Sequence, residues 1–413
     1  MTSVTVGAGQ SIQAAIDAAA PGDTIDVAAG TYTDQFLNIG QSITLQAVGG
    51  MVVMTETRAP DNGKAMITEH GQNVAINGFD IGGVTVPDRN GAAIRYEGGS
   101  LTLSNDFFHD NQDGILGAAD PNGSIAIDHS EFSHNGDGSG STHNLYIGQI
   151  NSFSITNSYV HDAVVGHEIK SRAANNTITG NRIFDNNGSA SYSIDLPNGG
   201  SADISNNVVE QGAATQNPFI IAYGEEGASN PGTSVSIANN TIVNDDGGGR
   251  FLLDSPGTPV SFTGNQVFGL SASLLPASSD TVLLTSRPSL DTSAMTFMNP
   301  AGGDNGSGST GSGGPGGSTG GAGGSEGGSG GGTGGTPDGD GGGTGGGGTG
   351  ETPPPPALTL DQYHQIVITD FSNYAAAHPE VWMSSTALSA IIGEMTSTTV
   401  LTVPLPGDLW SHT

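Results

Sequence analysis

Two histidines, a tyrosine, an arginine and one of only two lysines fall within residues 143–146 and 166–172 of a chain that sets nine basic residues against 40 acidic ones. They lie in two segments, His143-Asn144-Leu145-Tyr146 and Gly166-His167-Glu168-Ile169-Lys170-Ser171-Arg172. A cation beside a general base suits proton abstraction next to a carboxylate. The C5 hydrogen of a uronate sugar is weakly acidic until the charge on its C6 carboxylate is neutralised, and a base must then stand within hydrogen-bond reach. On this reading Arg172 neutralises the carboxylate, Lys170 or His167 is the base, and Tyr146 donates to the leaving glycosidic oxygen. Loss of that oxygen makes a lyase, whereas reprotonation from the opposite face makes an epimerase. The residue types do not separate the two.

Both segments belong to a repeat. Asn77, Asn105, His129, Asn157, Asn181, Asn206, Asn240 and Asn265 recur every 24 to 34 residues, most of them just ahead of a bulky apolar residue or pair. A period of that size with strand-like content marks a stacked solenoid, whose units bury their apolar sides only against each other. The stacked asparagines are expected to form an internal amide ladder. Each unit is expected to hold two short strands, the ladder strand and a second centred on Ile67, Ile94, Ile115, Leu145, Ile169, Ile194, Ile220 and Leu252. Residues flanking those centres should point outward, because side chains alternate along a strand. That places Arg95, Asn144, Tyr146, Glu168, Lys170, Ser193 and Asp195 on one outer sheet, with Arg172 at a strand exit. A sugar polymer laid across rungs about 4.8 Å apart would meet them all, with Arg95, His143, Asn144, Glu168 and Asp195 as substrate-binding residues around the catalytic Tyr146, His167, Lys170 and Arg172.

Plainer readings compete. Glu168, Lys170 and Arg172 alternate along one strand, and such charges often only pair with each other on a wet surface. His143 and His167 at rung entries are as suited to capping backbone groups as to catalysis, and His161 with Asp162 reads as structural. A glycoside hydrolase needs two carboxylates flanking one bond, for which Glu168 and Asp195 are the candidates. No Gly-rich phosphate loop opens a helix, and zinc is disfavoured without cysteine or a spaced histidine pair.

At the N-terminal end Ser11 to Ala20 reads as a short amphipathic helix, with Ser11 as N-cap, Ile12, Ala15, Ile16 and Ala19 on one face, and Pro21-Gly22 ending it. It should cover the open end of the stack. The entry segment Ser11-Ile12-Gln13-Ala14-Ala15-Ile16-Asp17, the following Pro21-Gly22-Asp23-Thr24-Ile25, Gly30-Thr31-Tyr32 and the Asn-centred rungs resemble the right-handed parallel β-helix proteins of the pectate-lyase-like superfold. The resemblance implies an all-β solenoid over residues 1–300. It leaves activity open, since that superfold hosts lyases, hydrolases, epimerases and non-catalytic adhesins. Ca²⁺ often assists uronate neutralisation in similar proteins. Here Glu168 and Asp195 would be its ligands, too few to assert a cofactor.

Composition bounds the rest. Residues 301–356 are almost entirely Gly, Ser, Thr, Pro, Asp and Glu and read as a flexible, disordered linker. Residues 357–413 read as a small, partly helical module suited to docking or secretion. The net charge of −31 argues against nucleic acid or an anionic membrane as partner. An acidic polysaccharide must therefore be met locally, by a chain expected to be a monomer. The first residues lack the basic and apolar regions of a secretory signal. An extracellular or cell-surface protein exported through an uncleaved C-terminal signal fits this composition, and a cytoplasmic one is the alternative. The functional rival is a non-catalytic β-helix, an adhesin-like or glycan-binding spacer.

Overall fold

The computed structural model describes residues 3–297, Asn187 excepted. The expected linker over 301–356 and the module over 357–413 lie outside the described residues. Within them the chain is a parallel β-helix, as the repeat predicts. Ser11 caps the helix Ile12–Ala18 by accepting the Ala14 N–H at 3.1 Å. Ile12, Ala15 and Ile16 are buried beneath it, while Gln41 Nε2 donates to Ile16 O and Ala19 O at its end.

Each full turn of the solenoid contributes three short strands where two were expected. One turn runs through Asp113–Gly117, Asp120–Asp128 and Glu131–Ser133, and the next through Leu145–Ile147, Ile150–Thr156 and Tyr159–His161. The extra corner splits the ladder strand. It falls on Asn105, His129, Asn157 and Asn206, whose φ angles of +49° to +57° lie in the left-handed region. Asparagine tolerates that region better than other side chains bearing a Cβ, which is why the repeat keeps it there.

The amide ladder therefore sits one residue further along in several rungs. Asn181, Asn207, Asn240 and Asn265 form it, each accepting through Oδ1 from the backbone N–H and the Nδ2 of the rung before it at 2.9–3.0 Å, apart from the first. Ser158, Ser130 and Asp106 continue the column, linked by backbone N–H bonds of 2.9–3.2 Å. A second internal ladder, Asn111 to Asn135 to Asn144, runs at another corner.

The sheet that carries the candidate residues has nine parallel strands in chain order, from Leu37–Ile39 to Arg250–Asp254. Ile94, Ile115, Leu145, Ile169 and Ile194 stack inward with no exposure. The column then continues through Ile221, not Ile220. The neighbouring outward column reads Arg95, Leu116, Tyr146, Lys170, Asp195 and Ala222. Consecutive members are in register, so Tyr146, Lys170 and Asp195 are brought together by the fold itself.

Candidate functional site

Tyr146, Lys170 and Arg172 converge as expected. Arg172 leaves the end of its strand and turns back, donating from Nε to Tyr146 Oη at 2.9 Å and from Nη1 to Asn198 Oδ1 at 2.7 Å. Lys170 Nζ lies 3.1 Å from Asp195 Oδ2 and 3.1 Å from Glu226 Oε1. Arg172 Nη2 lies 2.7 Å from the other oxygen of the same carboxylate, Glu226 Oε2. One carboxylate is thus gripped through both oxygens by two cations that stand two residues apart, beside a tyrosine hydroxyl.

Asp195 is buried under this cluster, where it meets Lys170, His167 Nε2 at 3.3 Å and the Glu225 carboxyl. It positions Lys170 and is out of reach of a substrate, which corrects its expected binding role. Burial works against the charge of Lys170, but Asp195 and then Glu226 outweigh it and hold the ammonium pKa above its ordinary value. A lysine kept charged is a carboxylate ligand and not the base.

The two histidines are fixed by the rung above. His143 Nδ1 accepts the backbone N–H of His167 at 2.9 Å, and His167 Nδ1 accepts that of Tyr192 at 3.3 Å. The neutral rings therefore carry their proton on Nε2. Burial, followed by His167, Lys170 and Arg172, pushes His143 well below the usual histidine range. Burial likewise lowers His167 to about 4, only partly opposed by Asp195. With its lone pair spent on a backbone donor and its Nε2–H facing Asp195, His167 is a poor base, and the expectation that it serves as one is corrected. His143 stacks on His167 with ring centroids 4.6 Å apart and on Tyr146 at 5.7 Å, so both rings buttress the tyrosine.

Asn144 and Glu168 do not face outward. Both are fully buried, because the strands here are only three residues long and the preceding position already lies inside the corner. Asn144 Nδ2 donates to Glu168 Oε2 at 2.5 Å, and Glu168 Oε1 accepts the Ala163 N–H at 2.9 Å, closing the second ladder. Burial first, then the nearby Asp185, raises the Glu168 pKa well above the carboxylate range. Ser193 is buried for the same reason. Glu168 and Asp195 therefore share no site, either as a hydrolase pair or as calcium ligands, and among the described residues no group of three or more histidines or carboxylates is arranged to hold a metal ion. Arg95 stays apart, two rungs from Tyr146 and paired with Glu97 at 3.1 Å.

The site's other members come from loops. Asn198 and the pair Glu225-Glu226 lie outside the strand column. Their visible signal was an acidic doublet flanked by glycines, Gly224-Glu225-Glu226-Gly227, inside an insertion long enough to wall a groove. Burial, then a hydrogen bond to Asp195, pushes the Glu225 carboxyl up to about 8. The raised value favours a protonated carboxyl at neutral pH, hydrogen-bonded to Asp195. Elsewhere, a cavity of about 330 Å³ is lined by His134, Asp162, Ala163, Val164, Asn186, Gly188 and Ser189. The adjoining His161 is engaged by Asp162 at 2.6 Å and Glu131 at 3.2 Å.

No family model and no curated protein matches the chain. Among solved structures, it is similar to an arginine-to-alanine mutant of the PL6-family alginate lyase AlyGC, at 14% identity and a TM-score of 0.27, over 68% of this chain and 52% of that one. The chain thus spans about half the length of that protein.

Proposed function

We propose that this chain is a carbohydrate-active β-helix that acts on a uronate-containing polysaccharide by chemistry at C5, beside the sugar carboxylate. The observation that carries the reading is the grip of Lys170 and Arg172 on both oxygens of one carboxylate, with Tyr146 Oη bonded to the same guanidinium. A substrate carboxylate seated between these cations would be neutralised, and the C5 hydrogen beside it made more acidic.

Tyr146, having first released its own hydroxyl proton to solvent, is then the group that accepts the C5 proton. The guanidinium bonded to its oxygen stabilises negative charge there, and the two imidazoles behind it hold the ring in place. The electron pair of the broken C–H bond passes into the carboxylate as an enolate. Expulsion of the C4 oxygen, with a proton supplied from Glu225, gives an unsaturated sugar and a lyase. Return of a proton to the opposite face of C5 gives the epimer and no chain break. Polymer chemistry of this kind suits an extracellular or cell-surface protein.

The test is incubation with a panel of uronate polymers, following ultraviolet absorbance of unsaturated ends. Activity is expected on at least one polymer, with a loss of 100-fold or more, on the order of two binding charges, in Lys170→Ala combined with Arg172→Ala. Activity that survives the double substitution would remove the site. A second reading, a non-catalytic glycan-binding spacer, draws on the fact that Glu226 already satisfies both cations; a protein inert on every polymer yet retained on an acidic one would establish it.

A further inference from the structure

Glu226 reaches the cations from a loop, and its side chain is 43% exposed whereas those of Lys170 and Arg172 are 11% and 21% exposed. The carboxylate therefore stands outermost, with the two cations behind it. Resting on the proposed function, we infer that Glu226 occupies the subsite of the substrate carboxylate as a built-in competitor, and that an acidic sugar binds by displacing it.

The loop is constructed for that exchange. Asn230 pins one end, donating from Nδ2 to the carbonyls of Arg172, Ala173 and Gly199 at 2.9–3.2 Å. The Glu226 N–H donates to Pro197 O at 3.1 Å, so its backbone is held by the loop while its carboxylate is held by the two cations. Gly224 and Gly227 on either side have φ angles of +71° and +116°, and a side chain at Gly227 would meet nothing within 4 Å, so open space lies beside the glutamate. The chemistry of the exchange is balanced. A leaving carboxylate is replaced by an arriving one of equal charge, and the largely buried cations never lose a carboxylate without gaining another, a loss that would be unfavourable. A neutral sugar offers no such replacement and leaves Glu226 in place. The device thus selects acidic residues of a polymer.

The chain's two lysines, Lys64 and Lys170, make the test direct. Full-length protein labelled with 13C at lysine Cε gives two resonances, and Lys64→Ala identifies the one from Lys170. Trimers of galacturonate, mannuronate and glucose, and acetate as the simplest carboxylate, are titrated against wild type, Glu226→Ala and Glu226→Gln. The Lys170 resonance is expected to respond to an acidic trimer at concentrations lower by about tenfold or more in both variants, as follows from removing a charge-assisted competitor. The glucose trimer should leave it unmoved. Equal or weaker response to every carboxylate in the folded variants, compared with wild type, overturns the inference. A Lys170 resonance that answers to acetate more readily in the variants, but to neither acidic trimer, upholds the displaced carboxylate and removes the uronate reading instead.

Discussion

Lys170 keeps its charge because two carboxylates flank its ammonium at 3.1 Å, and Glu225 keeps its proton because burial and Asp195 leave no room for another negative charge. The pair has the two protonation states that a neutraliser and a proton donor need. Glu225 must be protonated to donate, and its raised pKa of about 8 means that this form is present below that pH and lost above it. The rate of chain cleavage should therefore fall as pH rises through about 8, and Glu225→Gln should reduce cleavage while leaving carboxylate binding intact. A pH profile for cleavage by the wild type that stays flat from 7 to 9.5 would remove Glu225 as the donor. At this scale the sequence disclosed the strand-borne half of the site. Tyr146 and Lys170 share a column by repeat register alone. Glu226 and Asn198 could not be placed, since a loop's reach over a solenoid face depends on anchors such as Asn230 that no periodicity records. The burial of Glu168 and Asn144 was hidden for a different reason. Alternation predicts facing only within a strand, and these residues stand at a corner just before one.

The ladders show the same limit at the level of elements. The period marked the solenoid, but it mixed two neighbouring positions, the left-handed corner and the buried amide. Asn206 has φ +57° and is exposed, whereas Asn207 accepts from Asn181 and donates to both Ile178 O and Asn240. Asn207→Ala should cost about 3 kcal/mol, since it strands buried donors and an acceptor. Asn206→Gly should lie within about 0.5 kcal/mol of wild type, because glycine takes the left-handed corner without strain. Urea unfolding of the two variants measures the difference, and equal midpoints would contradict the assignment. An Asn-Asn or Asn-Ser pair at three of the corners, Asn157-Ser158, Asn206-Asn207 and Asn239-Asn240, was the legible trace of both roles. Only the backbone angles tell which residue does which.

Across the whole molecule, the stack is held by more than its rungs. After the last full turn the segment from Val282 doubles back over the outer face. Val282–Leu283 pairs with Gln266–Val267, and Arg287 meets Asp245 at 2.7 Å. Arg182 donates to Asp291 O and Ser293 O at 2.7 Å, the Met295 N–H donates to Glu131, and Phe297 lies over Phe107. This strap ties together turns far apart in the stack and covers a face other than the one that carries Lys170 and Arg172, which stay uncovered by it in a chain with net charge −31. A polyanion approaching so acidic a chain must be met locally, at cations such as these. The claim that unites these scales is that the site neutralises a sugar carboxylate so that Tyr146 can take the adjacent proton, and the step common to lyase and epimerase is the breaking of the C5–H bond. The direct measurement is deuterium incorporation at C5, together with formation of unsaturated ends, when uronate polymers are incubated in D₂O with wild type and with Tyr146→Phe. The account predicts C5 cleavage by the wild type on at least one polymer and a drop of about 100-fold or more in Tyr146→Phe with binding retained. Wild-type rates in Tyr146→Phe, or neither exchange nor elimination on any uronate polymer, would contradict it.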